Sequence, residues 1–165
     1  MPTTYEPIAT TTLGSTNATI TFSSIAATYT DLRVVLVCTT SGATNIRLRF
    51  NNDSSTLYSI TTLYADGSTA ASDTRGTLDA LSWTVGGGSS TTIPHLYTAD
   101  IFSYAGSTNK TSLLERSEDK NGSGSVARIV GLYRSTSAIN RLDLLAIGQT
   151  FSIGTTATLY GIKNA

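Results

Sequence analysis

The residue types that carry most enzyme chemistry are scarce in this chain. Its 165 residues hold one His, one Cys, one Met and one Trp. A lone imidazole can serve as a general base or ligate a metal. His95, however, follows Pro94 at what reads as a strand entrance, with no Cys near it in sequence and no carboxylate-rich run around it. One imidazole makes a poor metal site, so a structural or solvent-exposed role is expected. Cys38 alternates in phase with Leu36 and Val34, as a small buried hydrophobe would.

Glycoside hydrolysis needs two carboxylates opposed across a sugar ring. The acidic residues here are dispersed, and several fall at turns, where Asp bonds its own backbone. Asp79, Asp100 and Asp143 lie in strand-like patterns and could converge, although alternation on a solvated strand accounts for them equally. Asn51-Asn52-Asp53 offers oxygen ligands, but the spacing fits a turn and no calcium loop. Gly122-Ser123-Gly124-Ser125 and Gly86-Gly87-Gly88 lack the strand-to-helix setting of a phosphate loop. No enzyme signature, metal or cofactor is expected.

Contact chemistry is better represented. Eight Tyr, four Phe and one Trp provide rings, and Tyr and Trp join an apolar body to a polar edge. Tyr64, Trp83, Tyr97 and Tyr133 are candidates for exposed contacts, with a partly buried sandwich rim as the plainer reading. Arg outnumbers Lys eight to three, which favours fixed planar contacts. Arg33, Arg47 and Arg49 fall opposite apolar stripes and are candidates for inter-subunit ion pairs.

The elements that must position these residues are strands. Ser and Thr supply 51 residues, Thr suiting a pleated surface and Ser, with Gly, the turns. Period-2 alternation dominates, and no window holds an apolar stripe of helical period. Leu32, Val34, Leu36 and Cys38 share one face; Ile46, Leu48 and Phe50 share another, with Arg47 and Arg49 opposite. Further strands are expected over Ala18–Phe22, Tyr58–Thr62, Leu78–Trp83, Tyr97–Tyr104, Lys110–Arg116, Val126–Arg134, Ile139–Ile147 and Ala157–Ile162, with Asp66-Gly67 as a tight turn. About ten or eleven strands between Gly- and Asn-containing turns predict an all-β antiparallel sandwich, jelly-roll-like, as one domain over residues 9–165. The glycine run at 86–88 reads as a long loop. Pro2 and Pro7 bracket Tyr5 and Glu6, so residues 1–8 read as an extended arm placing Tyr5 against a neighbouring subunit, or as a surface tail.

Composition excludes several classes of partner. Eleven basic residues balance eleven acidic ones, and 13% charged is low against about a quarter in ordinary domains. With no basic block, strong attraction to nucleic acid is not expected. The apolar runs are too short to span a bilayer. The start, Met-Pro-Thr-Thr-Tyr-Glu, does not read as a signal peptide, so synthesis in a cytoplasm is expected.

Several phrases together carry a resemblance. They are Tyr29-Thr-Asp-Leu-Arg-Val-Val-Leu, Leu48-Arg-Phe-Asn51 with Tyr58-Ser59 behind it, Tyr104-Ala-Gly-Ser-Thr-Asn-Lys-Thr111, Gly131-Leu-Tyr-Arg-Ser-Thr136, Ala138-Ile-Asn-Arg141 and Thr156-Ala-Thr-Leu-Tyr-Gly-Ile-Lys163. With them the chain resembles small β-rich virion proteins of tailed bacteriophages over nearly its whole length. The resemblance implies a jelly-roll-like structural component, oligomeric and often trimeric, found in the virion. Such a subunit decorates (cements) the head by binding the major capsid protein, or serves in a tail fibre or spike and binds a host glycan or receptor. It carries over no catalytic motif.

Overall fold

The computed structural model describes residues 4–83, 91–119, 122 and 124–163. The fold is all-β. Its strands are β1 (Tyr5–Thr12), β2 (Thr19–Phe22), β3 (Asp31–Cys38), β4 (Ile46–Phe50), β5 (Tyr58–Ala65), β6 (Ala70–Leu78), β7 (Leu81–Ser82), β8 (His95–Ile101), β9 (Lys110–Glu118), β10 (Ser125–Tyr133), β11 (Leu142–Ala146) and β12 (Thr156–Ile162). An eight-stranded sheet runs β1-β12-β3-β8-β9-β10-β5-β6, and a four-stranded sheet runs β2-β11-β4-β7. Every ladder is antiparallel. Early strands pair with late ones in nested order: β1 with β12, β2 with β11, β5 with β10. A ribbon rolled onto itself in this way gives a jelly-roll-like antiparallel sandwich.

Alternation decides which side chains close the sandwich. In β3, Leu32, Val34, Leu36 and Cys38 are buried and Arg33, Val35 and Val37 face out. In β4, Ile46, Leu48 and Phe50 are buried beneath outward Arg47 and Arg49. Burying each such Leu, Ile or Phe is worth about 1.5–3 kcal/mol against leaving it exposed. Aromatic rings fill the wide part of the core. Tyr58 stacks on Tyr133 at 4.6 Å between centroids, and Phe50 tilts against both at 6.0 and 5.5 Å.

The boundaries depart from expectation in identifiable places. Residues 5–8 of the expected arm begin an edge strand, because Tyr5, Glu6 and Pro7 pair with Ile162, Gly161 and Tyr160. Pro7 is tolerated there because an edge strand leaves one row of amides unpaired. β6 was not anticipated: as an exposed edge strand it needs no apolar alternation. The strand expected over Leu78–Trp83 shrinks to Leu81–Ser82. The glycine run at 86–88 lies outside the described residues. Asp66-Gly67 forms its turn, with Asp66 Oδ1 accepting the Ser68 and Thr69 amides and Gly67 at φ +91°. Asn51 and Asn52 turn with φ of 53° and 55°. The Asn51 side chain fastens the loop before β11 by accepting the Asn140 and Arg141 amides and donating to the Ala138 carbonyl.

Candidate interaction face

The outer face of the eight-stranded sheet is the surface that a folded domain of this kind would ordinarily make polar. Pairing aligns its outward side chains in rows. One row crosses Val37, Leu96, Ser117, Val126 and Ala65. The next crosses Val35, Thr98, Glu115, Arg128 and Leu63. A third crosses Arg33, Asp100, Leu113, Val130 and Thr61. Five large apolar side chains on this face are strongly exposed: Val37 at 42%, Leu96 at 39%, Val126 at 56%, Leu63 at 64% and Val130 at 53%. Scattered exposed apolar residues are normal, whereas a contiguous apolar surface rimmed by polar groups marks an interaction site.

Charge sits in the middle of this face. Arg128 Nη1 lies 3.4 Å from Glu115 Oε1, with the two side chains 67% and 42% exposed. Arg33 Nη1 reaches both oxygens of Asp100 at 3.1 and 3.2 Å. Burial raises the Asp100 carboxyl, and the Arg33 charge only partly offsets it. A depression of about 410 Å3 opens between Leu63, Val126, Glu115 and Arg128, with Tyr64 and Ala70 also in its lining. The side toward β1 is polar instead, where Thr10 and Thr158 hydroxyls bond at 3.1 Å.

The residues singled out from sequence separate into three groups. Arg33 lies on this face, paired within the chain to Asp100. Arg47 and Arg49 lie on the outer face of the four-stranded sheet and converge on Asp79, at 2.7 and 2.8 Å. Asp143 is held by Arg141 and the Thr21 hydroxyl and pairs with Arg49 across the ladder, so Asp79 and Asp143 both neighbour Arg49 while Asp100 stands on the opposite sheet. Tyr5 is 51% exposed on edge strand β1, and Tyr64 is half-buried at the core margin. Trp83, Tyr97 and Tyr133, expected as exposed contacts, are buried instead. Tyr97 and Tyr133 share the parity of Ala99 and Ile129, which turns them inward, and Trp83 packs edge-on against Tyr97 at 5.8 Å. Trp83 Nε1 donates to the Thr98 carbonyl at 2.8 Å, so its polar edge is satisfied inside.

Sequence reasoning missed a buried polar cluster at one end of the core. His95 Nδ1 lies 2.6 Å from Glu118 Oε2 and 3.2 Å from the Tyr97 hydroxyl. Arg116 Nη2 donates to Glu118 Oε1 and to Ser125 Oγ, each at 2.6 Å, and Ser125 Oγ donates to the same carboxylate at 2.9 Å. Side-chain exposure is 0% for His95, 2% for Arg116 and 3% for Glu118. Burial alone would raise the Glu118 carboxyl. Hydrogen bonds from Arg116 and Ser125, with the charges of Arg116 and His95, outweigh it and hold the group below its ordinary value. Cys38 pairs with His95 across β3 and β8, but burial lifts its thiol to about 12, so it stays protonated and unreactive at neutral pH. The cluster is a buried internal network with its acid and base closed off from solvent. One signal could have revealed it: Arg116 and Glu118 share the parity of inward Leu114.

No family model matches this chain, and no curated protein matches it. Among solved structures, the crystal structure of Caenorhabditis elegans galectin LEC-6 is similar to it at 10% identity, covering 87% of this chain and 91% of that chain with a TM-score of 0.39.

Proposed function

We propose that this chain is a virion structural protein, a capsid decoration (cement) subunit that acts by binding and not by turnover. In this reading it is made in the host cytoplasm and takes its place on the head as an oligomer. It spans joints between major capsid subunits and adds buried surface across them. Several modest contacts made at once give firm attachment when geometry allows simultaneous engagement. The observation that carries the reading is the outer face of the large sheet, where Val37, Leu63, Leu96, Val126 and Val130 stand exposed on a rigid ladder. Burying apolar area at about 25 cal/mol per Å2 rewards any partner that covers it. The sequence resemblance to phage virion proteins supplies the kind of assembly that such a face serves. The test is to add purified protein to heads lacking it: the protein rebinds and raises their disruption temperature. Failure to rebind removes the proposal.

A second reading, a tail-fibre module binding a host glycan or receptor, is favoured by one feature. The depression of about 410 Å3 carries both a carboxylate and a guanidinium, Glu115 and Arg128, beside apolar Leu63 and Val126. That combination can hold a sugar by its hydroxyls and its apolar face. Binding of host envelope polysaccharide by purified protein, lost on Arg128→Ala, would move the assignment to this reading.

A further inference from the structure

From the outer face of the eight-stranded sheet we infer that its partner is a second copy of this chain, packed face to face about a two-fold axis. The inference deepens the proposal of an assembling structural subunit and rests on it, since it names what covers the same face. The axis would run parallel to the strands between β9 and β10.

The argument starts from the order of the central strands, β3-β8-β9-β10-β5-β6. A two-fold axis between β9 and β10 lays β9 of one copy over β10 of the other, and β8 over β5. Positions along the strands are unchanged by this operation, so each row meets itself reversed. Glu115 then faces Arg128 of the other copy, and Arg128 faces Glu115, because the two are cross-strand partners in one row. Leu113 and Val130 are partners in the neighbouring row and meet each other's copies in the same way. Leu96 falls over Ala65, and Val126 over Ser117. An isologous interface requires such self-complementarity: a residue that touches its counterpart's neighbour must itself be touched in return. Two exposed charges of opposite sign at the centre, with Val126 and Val130 in the rows on either side, satisfy it.

Size is adequate. Five strand spacings of about 4.8 Å across eight residues of about 3.4 Å give a face on the order of 650 Å2. Two such faces bury roughly 1,300 Å2, within the range of specific interfaces, about 1,200–2,000 Å2. Face-to-face sheets at about 10 Å separation are an ordinary packing mode.

The edges of the large sheet are blunted, which leaves its face as the surface for self-association. β1 carries Pro7 and a register shift between Pro7 and Ala9. In β6 the Thr74 amide is occupied by Asp73 Oδ1 at 2.9 Å, and Asp73 Oδ2 accepts Arg75 Nε at 2.7 Å. Such devices discourage strand addition at an edge. The two-fold pair thus stands in place of the trimer that the resemblance implies.

Sedimentation velocity on the purified full chain tests the inference. The expected mass is twice 17.3 kDa. Val130→Arg and Glu115→Arg, both outward positions that leave the core intact, should each return a folded monomer by circular dichroism. The double variant Glu115→Arg/Arg128→Glu should restore the pair, because it reverses both charges together. A wild-type monomer or trimer overturns the inference, as does a dimer indifferent to Val130→Arg. Neither bears on rebinding to heads: a monomer that still rebinds leaves the functional proposal standing, and a dimer that does not rebind removes that proposal alone.

Discussion

Glu118 is the most consequential single side chain in the core. Its carboxylate binds Arg116, Ser125 and His95 at once, and its side chain is 3% exposed. Neutralising it leaves the Arg116 guanidinium, 2% exposed, without its charge partner. Breaking a buried pair from one side typically costs about 3–5 kcal/mol. Glu118→Gln, which keeps the shape, is therefore expected to lower unfolding free energy by about 3 kcal/mol in urea titrations at neutral pH. The same residue sets an acid limit. Because its folded value lies below the ordinary 4.5, its stabilisation is complete above that value and is lost as pH falls through the folded one. Wild-type stability should drop below about pH 4.5 by more than that of Glu118→Gln, and parallel acid profiles would refute the role. None of this was legible in composition, where a single His and scattered carboxylates read as inert. It became visible only when β9 placed Lys110, Ser112, Leu114, Arg116 and Glu118 on one inward parity.

Strands were legible where one face is apolar and the other is not. β3 and β4 alternate cleanly because both lie inside their sheets with one side in the core. β6 was illegible for the opposite reason: its Ala70–Leu78 run is exposed at most positions and reads as loop. The N-terminal strand was hidden likewise, since Pro7 disguised β1 as an arm although its other amides can still pair. The aromatics Trp83, Tyr97 and Tyr133 lie in the core, against expectation, because Tyr and Trp can satisfy their polar atoms internally, as Tyr133 does on Asp53 at 2.7 Å. Edge protection is a property of the element and can be tested there. Asp73→Ala frees the Thr74 amide and releases Arg75 while touching no core residue. Its effect on melting temperature should be small, since surface changes usually stay within about 0.5 kcal/mol. Light scattering on mild heating should nevertheless rise sooner than in wild type, through pairing at the uncapped edge. Scattering that tracks wild type would show that β6 needs no such cap.

At the scale of the whole molecule, the nested pairing makes the ends of the chain depend on each other. β12 lies between β1 and β3, joining residues as far apart as Thr10 and Thr158. It buries Ala157 and Leu159 completely, and Gly161 admits the Tyr29 ring where any Cβ would lie 2.3 Å from it. Lys163, just beyond, holds Glu6 at 3.0 Å and rests over Tyr29 at 5.3 Å from its centroid. The large sheet therefore cannot close until its last strand arrives. Loop-closure entropy must be met before such distant contacts reward it, so refolding should take milliseconds to seconds, the range of sandwiches dominated by non-local pairing. A chain ending at Thr155 loses the strand that bridges β1 to β3 and should show no cooperative thermal transition by circular dichroism. A cooperative transition in that truncated chain would mean that β3 to β11 fold without the nested closure, and the rolled ribbon would then be two independent units.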